Sequence, residues 1–284
     1  MPSTTVTLHN GRRRYASNAG AYVVLGVGGL VMVFPFIYQL MASLMTNSEV
    51  LSIPPQWIPS AFRLENYVAV FTSIPFAEQM SNTVQFSLIR TTAQVAFSAL
   101  AGYAFARMRF KGSGILFGIL LSILMVPSEL LLISQYQIVN NLGWLNSMPG
   151  LVAPGLVSAF GTFMMRQFFR GLPNELEEAA RIDGAGPFRI FWQVMLPLAK
   201  PGLGALAIIT LIDCWGALLW PLIVTTAQDQ MPVSVGLATF QGEHGVEYPS
   251  MMAASLMAML PIIILFIVMQ RRVIEGLAHA GLKG

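Results

Sequence analysis

From Tyr15 to Ser48 the chain carries no Asp, Glu, Lys or Arg. A run of that length and apolarity has few homes. It exceeds the core of a signal peptide, about 7–15 residues, and reaches the ~20 apolar residues that a bilayer-spanning helix needs. With five further stretches that meet the same criterion, the expected spans are about 20–45, 83–106, 114–136, 151–168, 202–225 and 251–270. Only 10% of the residues are charged and 55% are hydrophobic, whereas a soluble domain carries about 25% charge. So much apolar surface cannot all be interior, and much of it must face lipid. The expected fold class is all-α, a polytopic membrane protein with six transmembrane helices. Pro35 and Pro261 fall inside the first and last runs, where membrane helices tolerate proline.

Residues 1–18 are polar, carry Arg12, Arg13 and Arg14, and read as a cytoplasmic tail ahead of a transmembrane domain over 19–284. The basic residues set the orientation. With the N-terminus inside, fourteen of the sixteen Lys and Arg residues lie on cytoplasmic segments; Arg63 is outside and Arg90 within a span. This is the positive-inside distribution, and it puts both termini in the cytoplasm. The pI near 9.2 therefore reports topology and not a nucleic-acid partner. Outer connections are expected at about 46–82, 137–150 and 226–250. The first holds Ile53-Pro54-Pro55-Gln56-Trp57-Ile58-Pro59, too rich in proline for a helix. Trp57 and Trp144 suit headgroup level. The single cysteine, Cys214, excludes an internal disulfide and a Cys-based metal cluster, and reads as a small buried residue.

The fourth and fifth spans are joined by a cytoplasmic segment, about 171–200, whose local signals predict two short helices. Asn174 is a good N-cap residue, and Glu177 three positions on makes a start like a capping box. Glu175, Glu177 and Glu178 complement the positive end of the helix dipole. Gly184 supplies the stop, Pro187 opens the second helix, and Leu196-Pro197 closes it. Leu176, Ala179, Ala180 and Asp183 recur at helical spacing on the first helix; Phe188, Phe191, Trp192 and Met195 do so on the second. Such a hairpin suits two roles, docking into a groove on another protein or lying on the membrane surface.

The string Glu178-Ala179-Ala180, three residues, Gly184, nine residues, then Val194-Met195-Leu196-Pro197 resembles the EAA motif of ABC importer permeases. Val194 stands where that pattern usually has Ile. The Pro-Pro-x-Trp-Ile-Pro loop with Glu65-Asn66-Tyr67, Trp220-Pro221-Leu222 and the tail from Gln270 to Gly284 are similar to those of MalG-like carbohydrate permeases. The resemblance implies a type I ABC importer permease fold in a bacterial inner membrane. It implies a MalF-like second permease, two ATPase subunits and an external substrate-binding protein as partners. It also implies that Glu177, Glu178, Ala179, Ala180, Arg181, Asp183, Gly184, Leu196 and Pro197 belong to the loop that couples to the ATPases. No Gly-x4-Gly-Lys-Ser/Thr loop surrounds Lys111, Lys200 or Lys283, so ATP and magnesium are expected on the partner subunits and no cofactor on this chain. His9, His244 and His279 are scattered, and no catalytic or metal-binding constellation is expected.

Arg90, Glu129 and Asp213 fall within expected spans, where an ionisable group is costly unless paired or wet. Thr83, Ser87, Gln94 and Ser98 share Arg90's side of the second span, which should therefore face protein or an aqueous path. Arg90 and Glu129 lie at similar depth and either pair or find separate partners. Asp213, with Trp215 and Trp220, either lines the substrate path or packs helices. Intramembrane Asp213 and Glu129 also leave open an ion-coupled secondary transporter, a class in which the 174–197 hairpin has no evident use.

Overall fold

A computed structural model of the chain describes residues 11–240 and 247–281, with side chains described for 20–240 and 247–268. Every described element is helical. The first half contains α1 Gly11–Ser43, α2 Asn47–Val50, α3 Glu65–Ser73, α4 Phe76–Arg107, α5 Ser113–Ile123, α6 Leu132–Asn141 and α7 Met148–Val152. Then follow α8 Ala159–Arg170, α9 Glu175–Ile182, α10 Pro187–Ile190, α11 Leu196–Leu198, α12 Lys200–Trp215, α13 Leu219–Val224, α14 Val233–Thr239 and α15 Tyr248–Gly281. Short 3-10 turns occupy Ser128–Leu131 and Ala153–Gly155, and a π segment spans Phe191–Met195. Of the expected tail 1–18, residues 1–10 lie outside the described residues and residues 11–18 have helical backbone as the start of α1; the side chains beyond 268 also lie outside the described residues.

The all-α expectation holds, but the spans are not six unbroken helices. Gly20–Ala42 and Tyr248–Val268 are long and apolar enough to cross a membrane as they stand. Three helix pairs reach that length only across a bend: Ser113–Ile123 with Ser128–Asn141 (93°), Met148–Gly155 with Ala159–Arg170 (49°), and Pro187–Leu198 with Lys200–Trp215 (74°). Counting each pair as one crossing gives up to five. The breaks have local causes. Pro127 turns Val126 away from helical backbone and ends the third stretch. Pro154 and Gly155 close the fourth, and Ser158 restarts it by accepting the Gly161 N–H at 3.0 Å. The stretch 202–225 is interrupted between Trp215 and Leu219. α4 has the length for a crossing, but its polar stripe lowers its apolarity.

The chain divides into two compact units. In the first, Met1–Ala69 with Glu247–Leu256, the end of α1 is capped from the first turn of α3. Asn66 Nδ2 donates to the carbonyls of Ser43 and Met45, each at 2.9 Å, and the Tyr67 hydroxyl pairs with Ser43 Oγ at 2.8 Å. Thr46 and Glu49 form a reciprocal capping box on α2. The Ser60 N–H reaches Glu49 Oε1 at 3.1 Å, so one carboxylate ties both ends of the proline-rich loop. Trp57 lies against Phe34 and Tyr38, ring centroids 5.7 and 5.5 Å apart.

In the second unit, Val70–Val246 with Met257–Gly284, α4 is the central helix and packs on α8 and α12. Gln79, Thr83, Ser87, Thr91, Gln94 and Ser98 are all buried on one side of α4, as expected of a stripe turned from lipid. Thr83 Oγ1 accepts the Val233 N–H at 2.8 Å, and Gln94 donates to Thr210 at 3.2 Å. Small residues let α4 and α8 approach: a Cβ on Gly102 would stand 2.7 Å from Met165 Cβ and 2.8 Å from the Arg166 amide. With apolar solvent all round, such close packing replaces the hydrophobic effect as the force between helices. Contacts advance in step along both helices, Ser98 with Gly161 and then Gly102 with Met165, so α4 and α8 run parallel.

The Ser60 hydroxyl and the N–H groups of Thr46 and Ser60 hold the Glu49 carboxyl down at about 2, from an ordinary 4.5. A depressed carboxylate contributes order above its unfolded pKa and loses it as pH falls through the folded one. Protection of the Thr46 and Ser60 amides against hydrogen exchange, relative to their intrinsic rates, should therefore persist at pH 5 and be lost between pH 4.5 and 2. Glu49→Ala should show fast exchange at both amides already at neutral pH.

Candidate functional site

The second unit's two parallel helices end side by side, and each end is closed by an arginine of the other. Arg107, the last residue of α4, donates through Nε and Nη2 to the Phe169 carbonyl at 3.1 and 2.7 Å and through Nη2 to that of Leu172 at 2.5 Å. Arg166 of α8 donates to the Phe105 carbonyl at 3.2 Å, its guanidinium 3.9 Å from the Phe117 ring centroid. Helix C-termini leave carbonyls unpaired and carry partial negative charge. Two guanidinium groups answer both needs. Arg107 also bonds Asn174 Oδ1, and so fixes the point where the connecting segment begins.

That segment folds as its local signals indicate, with one correction. The backbone N–H groups of Glu177 and Glu178 bond to the Asn174 carbonyl at 3.0 Å, but the Asn174 side chain does not cap α9. It is taken by Arg107. Glu177 correspondingly does not reach back to close a capping box. Its carboxylate is buried, 2.8 Å from Arg181 Nη2, 3.4 Å from the Tyr103 hydroxyl and 3.9 Å from Arg107 Nε. At the far end Gly184 takes φ +78°. Gly184 N–H bonds to the Arg181 carbonyl at 3.0 Å and Ala185 N–H to that of Ala180 at 2.9 Å, the Schellman pair that a left-handed glycine permits. Pro187 opens α10 at its first position. Leu196 and Pro197 lie in α11, and the turn falls one step later, at Ala199.

The aromatic face expected on the second helix is divided between interior and surface. Ile190, Phe191 and Met195 join Ala99, Tyr103, Met165, Phe169 and Leu206 in one buried cluster. The Phe191 ring sits 5.0 Å from Tyr103 and 6.3 Å from Phe169. Phe188 and Trp192 instead point outward, ring centroids 6.1 Å apart. On α9, Ala180 packs on the core, whereas Leu176, Glu178, Ala179, Arg181 and Asp183 are exposed and Ile182 is 87% exposed. The hairpin thus has an inner face locked into α4 and α8 and an outer face of Leu176, Ile182, Phe188 and Trp192. Between the end of α4 and α9 an open cleft of about 580 Å³ is lined by Tyr103, Arg107, Arg109, Glu177, Glu178 and Arg181.

The intramembrane charges do not pair as the depth argument allowed. Arg90 Nη2 lies 3.6 Å from Asp213 Oδ2. Glu129 is exposed on the 3-10 turn at the 93° bend, where Ser128 Oγ donates to it at 3.1 Å. The two tryptophans are anchored: Trp215 Nε1 donates to the Ala258 carbonyl at 3.0 Å and Trp220 Nε1 to that of Gly150 at 3.2 Å. Cys214 is buried and unpaired with another cysteine among the described residues. Arg107, Arg166 and Tyr103 anchor the base of the hairpin, and sequence reasoning missed them. The two arginines had registered only as inside charges.

Residues 94–278 match the family described as binding-protein-dependent transport system inner membrane component. The chain is 36% identical over 257 residues to the arabinooligosaccharides transport system permease protein AraQ of Halalkalibacterium halodurans, covering 89% of this chain and 92% of that protein. It is 33% identical over 267 residues to the sn-glycerol-3-phosphate transport system permease protein UgpE of Yersinia enterocolitica, covering 91% and 95%. A chain of a bacterial ABC transporter involved in the import of the acidic polysaccharide alginate superposes with a TM-score of 0.77 at 23% identity, over 94% of this chain and 99% of that one. At that identity the likeness is one of fold, and it agrees with an ABC permease.

Arg107→Ala removes donors to two carbonyls and to Asn174 and withdraws a cation from a buried carboxylate, which should destabilise the protein by about 3 kcal/mol. Arg107→Lys should not restore it, because an ammonium cannot reproduce the planar fork. Glu178→Ala, on the exposed side, should stay within about 0.5 kcal/mol of the parent. Thermal unfolding of the purified protein in detergent tests the contrast; equal losses for Arg107→Ala and Glu178→Ala would contradict the assignment of inner and outer faces.

Proposed function

Because this chain belongs to the family of binding-protein-dependent transport system inner membrane components, we propose that it is the membrane-spanning permease subunit of an ATP-driven importer for a carbohydrate or related polyol. The names of the relatives refer to arabinooligosaccharides and to sn-glycerol-3-phosphate, whose common chemistry is a polyhydroxylated carbon chain. The observation that carries the proposal is the two-faced hairpin. Its inner side is rooted in the α4–α8 core, and its outer side offers Leu176, Ile182, Phe188 and Trp192 to another protein. An exposed apolar ridge at the end of rigidly held helices suits a groove on an ATPase subunit.

In this reading the transmembrane domain makes six crossings in the type I importer arrangement, with α4 as the second and both termini cytoplasmic. The chain works in the lipid bilayer of a bacterial inner membrane beside a second permease of MalF-like kind, two ATPase subunits and an external binding protein. ATP and magnesium are held by the ATPases, and this chain carries no cofactor and makes no covalent bond. Closure of the ATPase pair displaces the hairpin. Because the hairpin shares a buried cluster with α4 and α8, the displacement becomes a rigid-body movement that opens the path outward. The residues assigned to coupling are Glu177, Glu178, Ala179, Ala180, Arg181, Asp183, Gly184, Leu196 and Pro197, with Glu177 acting inward and Glu178 outward. Arg90, Asp213, Trp215 and Trp220 are assigned to the path; Glu129 is assigned to it by depth alone. An ion-coupled mechanism gains nothing from Asp213, whose carboxylate already has a cation beside it.

Gly184→Pro cannot adopt φ +78°, and Glu178→Lys reverses a charge on the outer face. In the assembled importer in vesicles, both variants should insert normally and leave ATP hydrolysis measurable, while substrate imported per ATP falls roughly tenfold. Parental uptake per ATP in either variant would refute the coupling role. Uptake that survives removal of the ATPase subunits and collapses with an uncoupler would refute the importer itself.

A further inference from the structure

Two interruptions of helical structure meet at one charge pair. α12 ends at Trp215 and helix resumes only at Leu219. The 3-10 turn Ala153–Gly155 precedes the break before α8. Arg90 reaches across to both. Gly155 leaves the space that the Arg90 guanidinium fills, since a Cβ there would collide with Arg90 Nε and Cζ. Arg90 Nη2 lies 3.6 Å from Asp213 Oδ2, and the Phe86 ring centroid lies 5.8 Å from Arg90 Cζ.

The two members of the pair are covered unequally. The Arg90 side chain is 20% exposed and that of Asp213 68%. The cation is therefore the support and the carboxylate the presented group. Asp213 also stands in the last turn of α12, where aligned peptide dipoles carry partial negative charge. Helix end and carboxylate add with the same sign. Both indole N–H groups nearby are spent on the carbonyls of Ala258 and Gly150, whereas the Asp213 carboxylate is largely open. Within a membrane, an exposed charge beside non-helical backbone needs water or protein against it.

We propose that Asp213, backed by Arg90, is a specificity-determining residue of the translocation path, which admits neutral polyhydroxylated substrates and turns away anionic ones. This rests on the carbohydrate-importer reading above. Sugar hydroxyls donate hydrogen bonds to a carboxylate, and charge-assisted bonds of this kind are strong. A phosphate or uronate group would instead meet a like charge reinforced by the helix end. Arg90 sits behind the carboxylate and is itself largely covered.

The test places a reporter beside Asp213. Gly216→Cys is suitable because a Cβ there lies 3.7 Å from the Ile212 carbonyl oxygen, an ordinary contact. It is made in a Cys214→Ala background and assembled in the complete importer in membrane vesicles under ATP turnover. Cationic and anionic methanethiosulfonates, both membrane-impermeant, serve as probes. Relative to the ratio of their rates with a free thiol in solution, the cationic reagent should be favoured over the anionic one about tenfold further. Asp213→Glu should keep that preference and Asp213→Asn should abolish or reverse it, with ATP hydrolysis verifying assembly of each variant. Equal rates, so normalised, whatever stands at position 213, or no labelling in any state, would overturn the proposal. Carbohydrate uptake by the parent importer is measured alongside: charge-selective labelling without uptake would sink the carbohydrate reading and leave the local electrostatic inference standing.

Discussion

The structure depends on the exchange of arginines between α4 and α8. Two parallel helices that end together bring two sets of unpaired carbonyls and two negative dipole ends to one place. Left alone, that arrangement is unfavourable. Arg107 reaching to Phe169 and Leu172, and Arg166 reaching to Phe105, turn it into a fixed junction. The remaining valences of Arg107 extend the junction to Asn174 and Glu177, so the hairpin begins on a foundation already tied to both helices.

This arrangement gives two of the basic residues expected on the cytoplasmic side a second role. The distribution of Lys and Arg orients a chain in the membrane by its excess on one side. At two positions the same charges also terminate helices, and those two carry structural consequence out of proportion to their number. Packing is continuous from the second half of the hairpin into the core: Phe191 and Met195 are packed with Tyr103, Met165 and Phe169. The Schellman turn at Gly184 fixes the angle between the two halves of the hairpin. In the proposed importer, a subunit built in this way would transmit displacement to the path.

Much of this was legible in the sequence where the governing rule is local. Gly184 as the stop and Pro187 as the start follow from backbone preferences within a few residues, and both hold. The polar side of α4 followed from helical spacing and is buried as expected. Glu177 and Glu178 could not be told apart, because their difference is made by Tyr103, 74 residues away. The Asn174 cap failed for the same reason: a distant guanidinium competes better for its side chain than the local backbone does. Span counting read apolarity and missed the bends, so Glu129, just past Pro127, stands on the turn at the 93° bend and not within a continuous helix.

The central claim is that the hairpin and the α4–α8 core move as one body. Spin labels at Ile182→Cys on the outer ridge and Leu100→Cys on the exposed side of α4, in a Cys214→Ala background, report it directly in the assembled importer. Their mutual distance should be the same without nucleotide and with trapped ATP, while the distance from Ile182→Cys to a label on the opposite permease changes. A 182-to-100 distance that shifts with nucleotide would mean that the hairpin moves on its own, and the account would be wrong.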